Sequence, residues 1–127
     1  MSACCIVLAD SRASDTWLML ALFAEIIGNY QRHGWELRRV LLRPETRAGL
    51  NESSQGLFKD ALLIDSDFDA LWFSRPSHAG REAWELRQVA NQPYALFEAF
   101  EADEDEELRE EARHEMENRM RDQVTQT

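Results

Sequence analysis

Cysteine and lysine are almost missing from this chain of 127 residues. The two cysteines, Cys4 and Cys5, are adjacent, and neighbours on a strand point to opposite faces, so they do not bridge. No C-x-x-C pair and no Cys/His cluster with zinc spacing occurs, which removes a zinc site. Small buried hydrophobes in a reducing compartment are the remaining reading of the cysteines. Lys59 stands alone against thirteen arginines. A Schiff-base or phosphate-cradling lysine therefore has one candidate, in no supporting motif. Long apolar runs are missing too. The longest, Trp17 to Ala24, is closed in by Asp15 and Glu25 and falls far short of the ~20 residues that span a bilayer. The N-terminus has no basic region before its apolar residues, so no secretory signal is expected, and the location expected is cytoplasmic with no membrane contact. Gly-rich phosphate loops, H-E-x-x-H and G-x-S-x-G do not occur, and no cofactor or metal is expected.

Positive charge is scarce as well, and the deficit is local. The formal net charge is −10. Residues 1–100 carry 13 acids against 10 bases, whereas residues 101–127 carry 11 acids against 4 bases. An acidic tail on a nearly balanced body argues against nucleic acid as a partner, since binding phosphates requires the opposite sign. It favours solubility and leaves room for a basic protein partner.

What the chain does contain is a near-duplicated strand. Gly34-Trp35-Glu36-Leu37-Arg38-Arg39-Val40 recurs as Ala83-Trp84-Glu85-Leu86-Arg87-Gln88-Val89. In both copies the apolar phase slips between Leu and Val, which requires either two covered faces or a bulge in each strand. Around these copies, Ala3–Ala9 reads as a buried strand and Thr16–His33 as a helix, with Gly34 at the position just past its end. The first half of that helix is apolar nearly all round. Pro44–Ser54 reads as a loop and Gln55–Ile64 as a short amphipathic helix, with Leu57, Phe58, Ala61 and Leu62 at spacings of three and four. Phe68–Ser74, Glu82–Ala90 and Tyr94–Phe100 read as three consecutive strands of an antiparallel meander. Asp103 to about Arg121 reads as a charged helix with i,i+4 pairs such as Asp105–Arg109 and Glu117–Arg121, a thin apolar stripe (Leu108, Ala112, Met116, Met120) and a frayed end over residues 124–127.

The helix ending at Gly34, the Trp35-Glu36-Leu37 strand and an aromatic strand ending in Arg75-Pro76 resemble a family of small bacterial domains of unknown function. That family is built as strand, helix, Gly-Trp-Glu-Leu strand, then a strand ending in Arg-Pro. The resemblance covers about residues 3–76, departs from the family in a long insertion (residues 44–67) and an extension beyond Pro76, and implies a fold but no activity.

The expected architecture is α+β. A single domain over residues 1–102 holds a mainly antiparallel five-stranded sheet with the long apolar helix on one face. A charged C-terminal helix follows over residues 103–127. Trp35, Leu37, Trp84, Leu86, Leu20, Phe23 and Ile27 are the expected core. Asp65-Ser66-Asp67-Phe68-Asp69 starts like a calcium loop, but Ala70 stands where the loop needs glycine and Pro76 where it needs a bidentate glutamate. One segment crowds cationic, hydroxyl and imidazole groups at a turn, and there Arg75, His78 and Arg81 are the candidate ligand-binding residues for an anion. On the first helix, Trp17, Leu18, Leu22 and Ile26 are the candidate interface. No pair of convergent acid and base groups appears, so the expected function is a non-enzymatic, self-associating or protein-binding module, with a homodimer as the expected assembly. A small-ligand or anion-binding protein using the Arg75–Arg81 turn, possibly an enzyme, is the first alternative. An acidic inhibitor engaging a basic partner through the C-terminal helix is the second.

Overall fold

The computed structural model describes residues 11–50, 56–90 and 92–126. The expected strand Ala3–Ala9, with Cys4 and Cys5, lies outside the described residues, as does the side chain of Trp17. In chain order the elements are α1 (Ser11–Arg32), β1 (Glu36–Leu42), α2 (Pro44–Ala48), β2 (Leu62–Asp65), β3 (Ala70–Pro76), a 3-10 turn (His78–Gly80), β4 (Glu82–Gln88), β5 (Ala95–Phe100) and α3 (Glu106–Gln126). The class is α+β. The five strands form one sheet in the order β2-β1-β3-β4-β5, antiparallel throughout except for the parallel β1–β2 pair.

α1 ends as its sequence dictates. Gly34 takes a φ of +86°, which a Cβ would strain, and the Trp35 N–H donates to the Tyr30 carbonyl at 3.0 Å while the Gly34 N–H donates to Gln31 at 3.1 Å. These are the two bonds of a Schellman cap, and its usual apolar contact is made by the Tyr30 and Trp35 rings, 6.0 Å apart. The chain thus leaves the helix already aimed into β1.

Both faces of the sheet are covered. On one, Phe23, Ile26 and Ile27 of α1 pack with Val40, Leu42, Leu71, Phe73 and Phe58. On the other, Met116 and Met120 of α3 close over Leu41, Trp72, Trp84, Leu86 and Phe100. The stripe of α3 is thin, with Leu108 left exposed, but several of its charged neighbours reach across to the rest of the fold. Arg109 reaches Glu82, Arg121 pairs with Asp67 at 2.9 Å, and Glu117 accepts from the Trp72 indole at 2.8 Å. These contacts replace the expected i,i+4 pairs Asp105–Arg109 and Glu117–Arg121. The helix also runs on through Gln126, with Val124 packed against the second cluster, where a frayed end was expected.

Two further expectations are corrected. Pro44–Ala48 is a short helix, because Pro44 sits at its first turn and Asp69 holds its start. The buried Asp69 carboxylate accepts from the Arg43 N–H (2.9 Å), the Arg43 Nε (3.2 Å) and the Thr46 hydroxyl (2.8 Å). Of the expected helix Gln55–Ile64, residue 55 lies outside the described residues (as do 51–54 of the expected loop), residues 56–58 are helical, and the rest is not. Lys59 turns the chain with a φ of +50°, and Leu62–Asp65 becomes a strand beside Arg39–Leu42. Spacings of three and four fitted a helix, but Leu62-Leu63-Ile64 is also a continuous apolar run, and pairing with β1 decides between them. Of the expected core, Phe23, Ile27, Trp84 and Leu86 are buried, while Leu20, Trp35 and Leu37 are partly exposed.

The duplicated Trp-Glu-Leu segments face opposite sides of the sheet. Trp35 and Leu37 pack with the α1 cluster, Trp84 and Leu86 with the α3 cluster. In β1 a register shift between Leu37 and Arg39 puts Leu37, Val40 and Leu42 on one face, as a bulge does. β4 pairs without a shift on both sides, so Val89 falls on the face opposite Trp84 and joins the α1 cluster. One sequence pattern is resolved in two ways, by a bulge in β1 and by two covered faces in β4.

Candidate functional site

The structure separates the members of the Arg75–His78–Arg81 turn. Arg75 donates to the His33 carbonyl at 2.9 Å, just past the last residue of α1, and its guanidinium lies 5.4 Å from the centre of the Trp35 ring. It caps the negative end of the helix. Arg81 pairs with Glu101 at 3.1 Å. His78 is exposed in the turn, where Ala79 and Gly80 both take positive φ (58° and 74°) and the Ser77 N–H donates to the Arg81 carbonyl at 2.8 Å. Both arginines are thus engaged within the chain, each by a different partner.

The calcium-like segment disperses in the same way. Asp65 pairs with Arg47 at 2.7 Å, Asp67 with Arg121, and Asp69 with Arg43 and Thr46. Among the described residues no three His, Cys, Asp or Glu side chains converge as a metal site.

A denser constellation lies where α3 crosses β1 and β4. Arg113, 2% exposed, is held by Glu110 at 2.7 Å and Glu106 at 3.1 Å, and its guanidinium carbon sits 4.0 Å from the centre of the Trp84 ring. Arg39 forms a two-pronged pair with the same Glu110, at 2.9 and 3.0 Å. Hydrogen bonds from Arg39 and then Arg113 hold the Glu110 carboxyl well below its usual range, at about 2. The Glu110 bond in turn raises the Arg39 guanidinium. Arg38, Arg39, Arg109 and Arg113 line a cleft of about 410 Å³ with Glu82 and Glu106. The Arg113 bond also holds the Glu106 carboxyl below its usual range, and Glu82 pairs with Arg109, so the charged groups of the cleft are engaged with one another. What it does is fasten α3 to the sheet.

Apolar surface remains on the α1 side. Leu18 is 65% exposed, and with Met19, Leu22 and Val89 it lines a groove of about 640 Å³. Leu22 is partly buried, whereas Ile26 is taken up by the core, so the α1 surface is centred on Leu18 and Leu22. A second apolar area lies on β5. There Phe97, 58% exposed, stands between the exposed Ala95 and Ala99, its ring 6.5 Å from that of Trp35. β5 contributes no residue to the cluster under α1. That Ala95, Phe97 and Ala99 share a face was legible from their alternation. That α1 leaves this face uncovered was not, because the direction of the helix across the sheet depends on the cap at Gly34 and the bulge in β1.

No helix among the described residues is long and apolar enough to cross a membrane. Comparison with protein-family models, with curated proteins and with solved structures finds no match to this chain.

Proposed function

We propose that this chain is a non-enzymatic module that associates with a second copy of itself through apolar surface on the α1 side of its sheet. The observation that carries the reading is the exposure of large apolar side chains there, Leu18 on α1 and Phe97 on β5. On the opposite side α3 covers Trp72, Trp84 and Phe100, although Leu62 of β2 and Leu108 of α3 are exposed there as well. Leaving such a side chain in water forgoes roughly 1.5–3 kcal/mol relative to burying it. Self-association recovers this without a second gene product, and a two-fold contact uses the same patch twice. The charged clusters support the reading from another side, since their ion pairs lie within the chain.

Sedimentation of the full chain across the micromolar range tests this. The expected result is a mass rising from 14.8 kDa toward twice that value as concentration increases. A mass that stays at 14.8 kDa throughout contradicts it.

A further inference from the structure

β5 closes one end of the sheet, and among the described residues no strand pairs with its outer edge. The Gln88 N–H donates to the Tyr94 carbonyl at 2.9 Å, which sets the phase of the β4–β5 ladder. Tyr94, Leu96, Glu98 and Phe100 therefore direct their backbone groups toward β4, and Ala95, Phe97 and Ala99 direct theirs outward. Natural edges are usually blunted by lysine, proline or a bulge. β5 has none of these within Ala95–Phe100: its one charge is Glu98, and its register with β4 is unbroken.

We infer that a second copy of this chain pairs antiparallel with the β5 edge about a two-fold axis at Phe97, joining two five-stranded sheets into one. This rests on the self-association proposed above and names its surface. The register follows from three residues. In an antiparallel pair, opposed residues face the same side, so a two-fold axis through the ladder must pass at a residue opposed to itself. An axis at Leu96 would set Ala99 against Pro93, which has no N–H to give. An axis at Glu98 would set two carboxylates directly against each other. An axis at Phe97 avoids both. It opposes Phe97 to Phe97, with Ala95 against Ala99 on either side leaving room for the two rings, and it sets Glu98 against Leu96 and Tyr94 against Phe100. The outward N–H and C=O groups of Ala95, Phe97 and Ala99 then all find partners, two bonds in each opposed pair. The other end of the sheet offers less: β2 is only four residues long.

The test is sedimentation of the full chain as wild type and as Phe97→Lys, Ala99→Pro and Leu18→Lys. Phe97 is exposed and the Ala99 N–H points away from β4, so both β5 variants keep the monomer fold, which circular dichroism checks. The expected result is a wild-type dimer, with F97K weakening it by about 100-fold through a like-charge pair at the axis and the loss of a buried aromatic. A99P, which removes an outward donor, should also weaken it. If L18K separates the copies while F97K and A99P remain dimeric, self-association stands and this edge assignment falls. If no variant weakens the dimer, the assignment falls as well. A wild-type monomer at every concentration overturns both.

Discussion

Arg113 lies with its guanidinium carbon 4.0 Å from the centre of the Trp84 ring while two glutamates of its own helix, Glu106 and Glu110, hold its outer nitrogens. The cation is desolvated on the aromatic side and neutralised on the solvent side, so its long stem fills space that a methionine could also fill. A buried arginine of this kind is held by packing as much as by charge. Arg113→Ala should therefore cost about 2–4 kcal/mol in urea unfolding, and Arg113→Met about 1 kcal/mol or less. Equal losses in the two variants would show that charge, and not volume, sets the contribution.

The same network sets an acid limit. Glu110 has its folded value depressed from 4.5 to about 2, and Glu106 and Asp67 are lowered in the same direction by their bonds to Arg113 and Arg121. A carboxylate held below its unfolded value stabilises the fold above the unfolded value and loses that contribution as pH falls through the folded one. Urea midpoints at fixed protein concentration should fall between pH 4.5 and about 2, and Glu110→Gln should flatten part of that fall. Because Glu110 is half exposed, its replacement should cost about 1 kcal/mol or less at neutral pH. An unchanged slope in E110Q would place the acid sensitivity elsewhere.

The β3–β4 turn offers a pair of opposite outcomes. Ala79 has a φ of +58° and no glycine to relieve it, whereas Gly80 has a φ of +74°, and a Cβ there would lie 3.1 Å from that of Ala102. Ala79→Gly should stabilise by about 0.5–1 kcal/mol and Gly80→Ala should destabilise by about 1 kcal/mol or more. Thermal unfolding of the two variants checks the signs. A loss in A79G would contradict the strained geometry.

α3 seals the second core, with Met120 fully buried beneath it. Met120→Ala should cost about 2–5 kcal/mol. Removing residues 103–127 should abolish cooperative unfolding, because Trp72 and Trp84 lose their cover. A truncated chain that melts as sharply as the full one would make α3 an accessory.

Much of the fold was legible in local pattern. The apolar helix ending at Gly34, the Trp strands and the antiparallel meander all follow from periodicity and from glycine and proline positions. The duplicated Trp-Glu-Leu was readable as strand but not as to face, since a bulge at Arg38 inverts one copy relative to the other. The β2 strand was hidden because its apolar residues fit a helix until β1 supplies a partner. The docking of α3 was hidden because many of its polar contacts, such as Arg39–Glu110, Arg121–Asp67 and Trp72–Glu117, join residues distant in sequence, and a one-dimensional pattern shows only near neighbours. The partners of Arg75 and Arg81, the His33 carbonyl and Glu101, were hidden for the same reason, since both are distant in sequence.

Amide hydrogen exchange of the wild-type chain at several concentrations tests the β5 pairing most directly. The Ala95, Phe97 and Ala99 N–H groups point away from β4, so in a lone chain they meet water, while those of Leu96 and Glu98 stay bonded to β4. Protection at 95, 97 and 99 should rise with concentration in step with the dimer mass, while 96 and 98 change little. Fast exchange at 95, 97 and 99 in a sample that is dimeric by mass would contradict it. So would protection there in a sample that is monomeric by mass, which would place another part of the same chain on the edge.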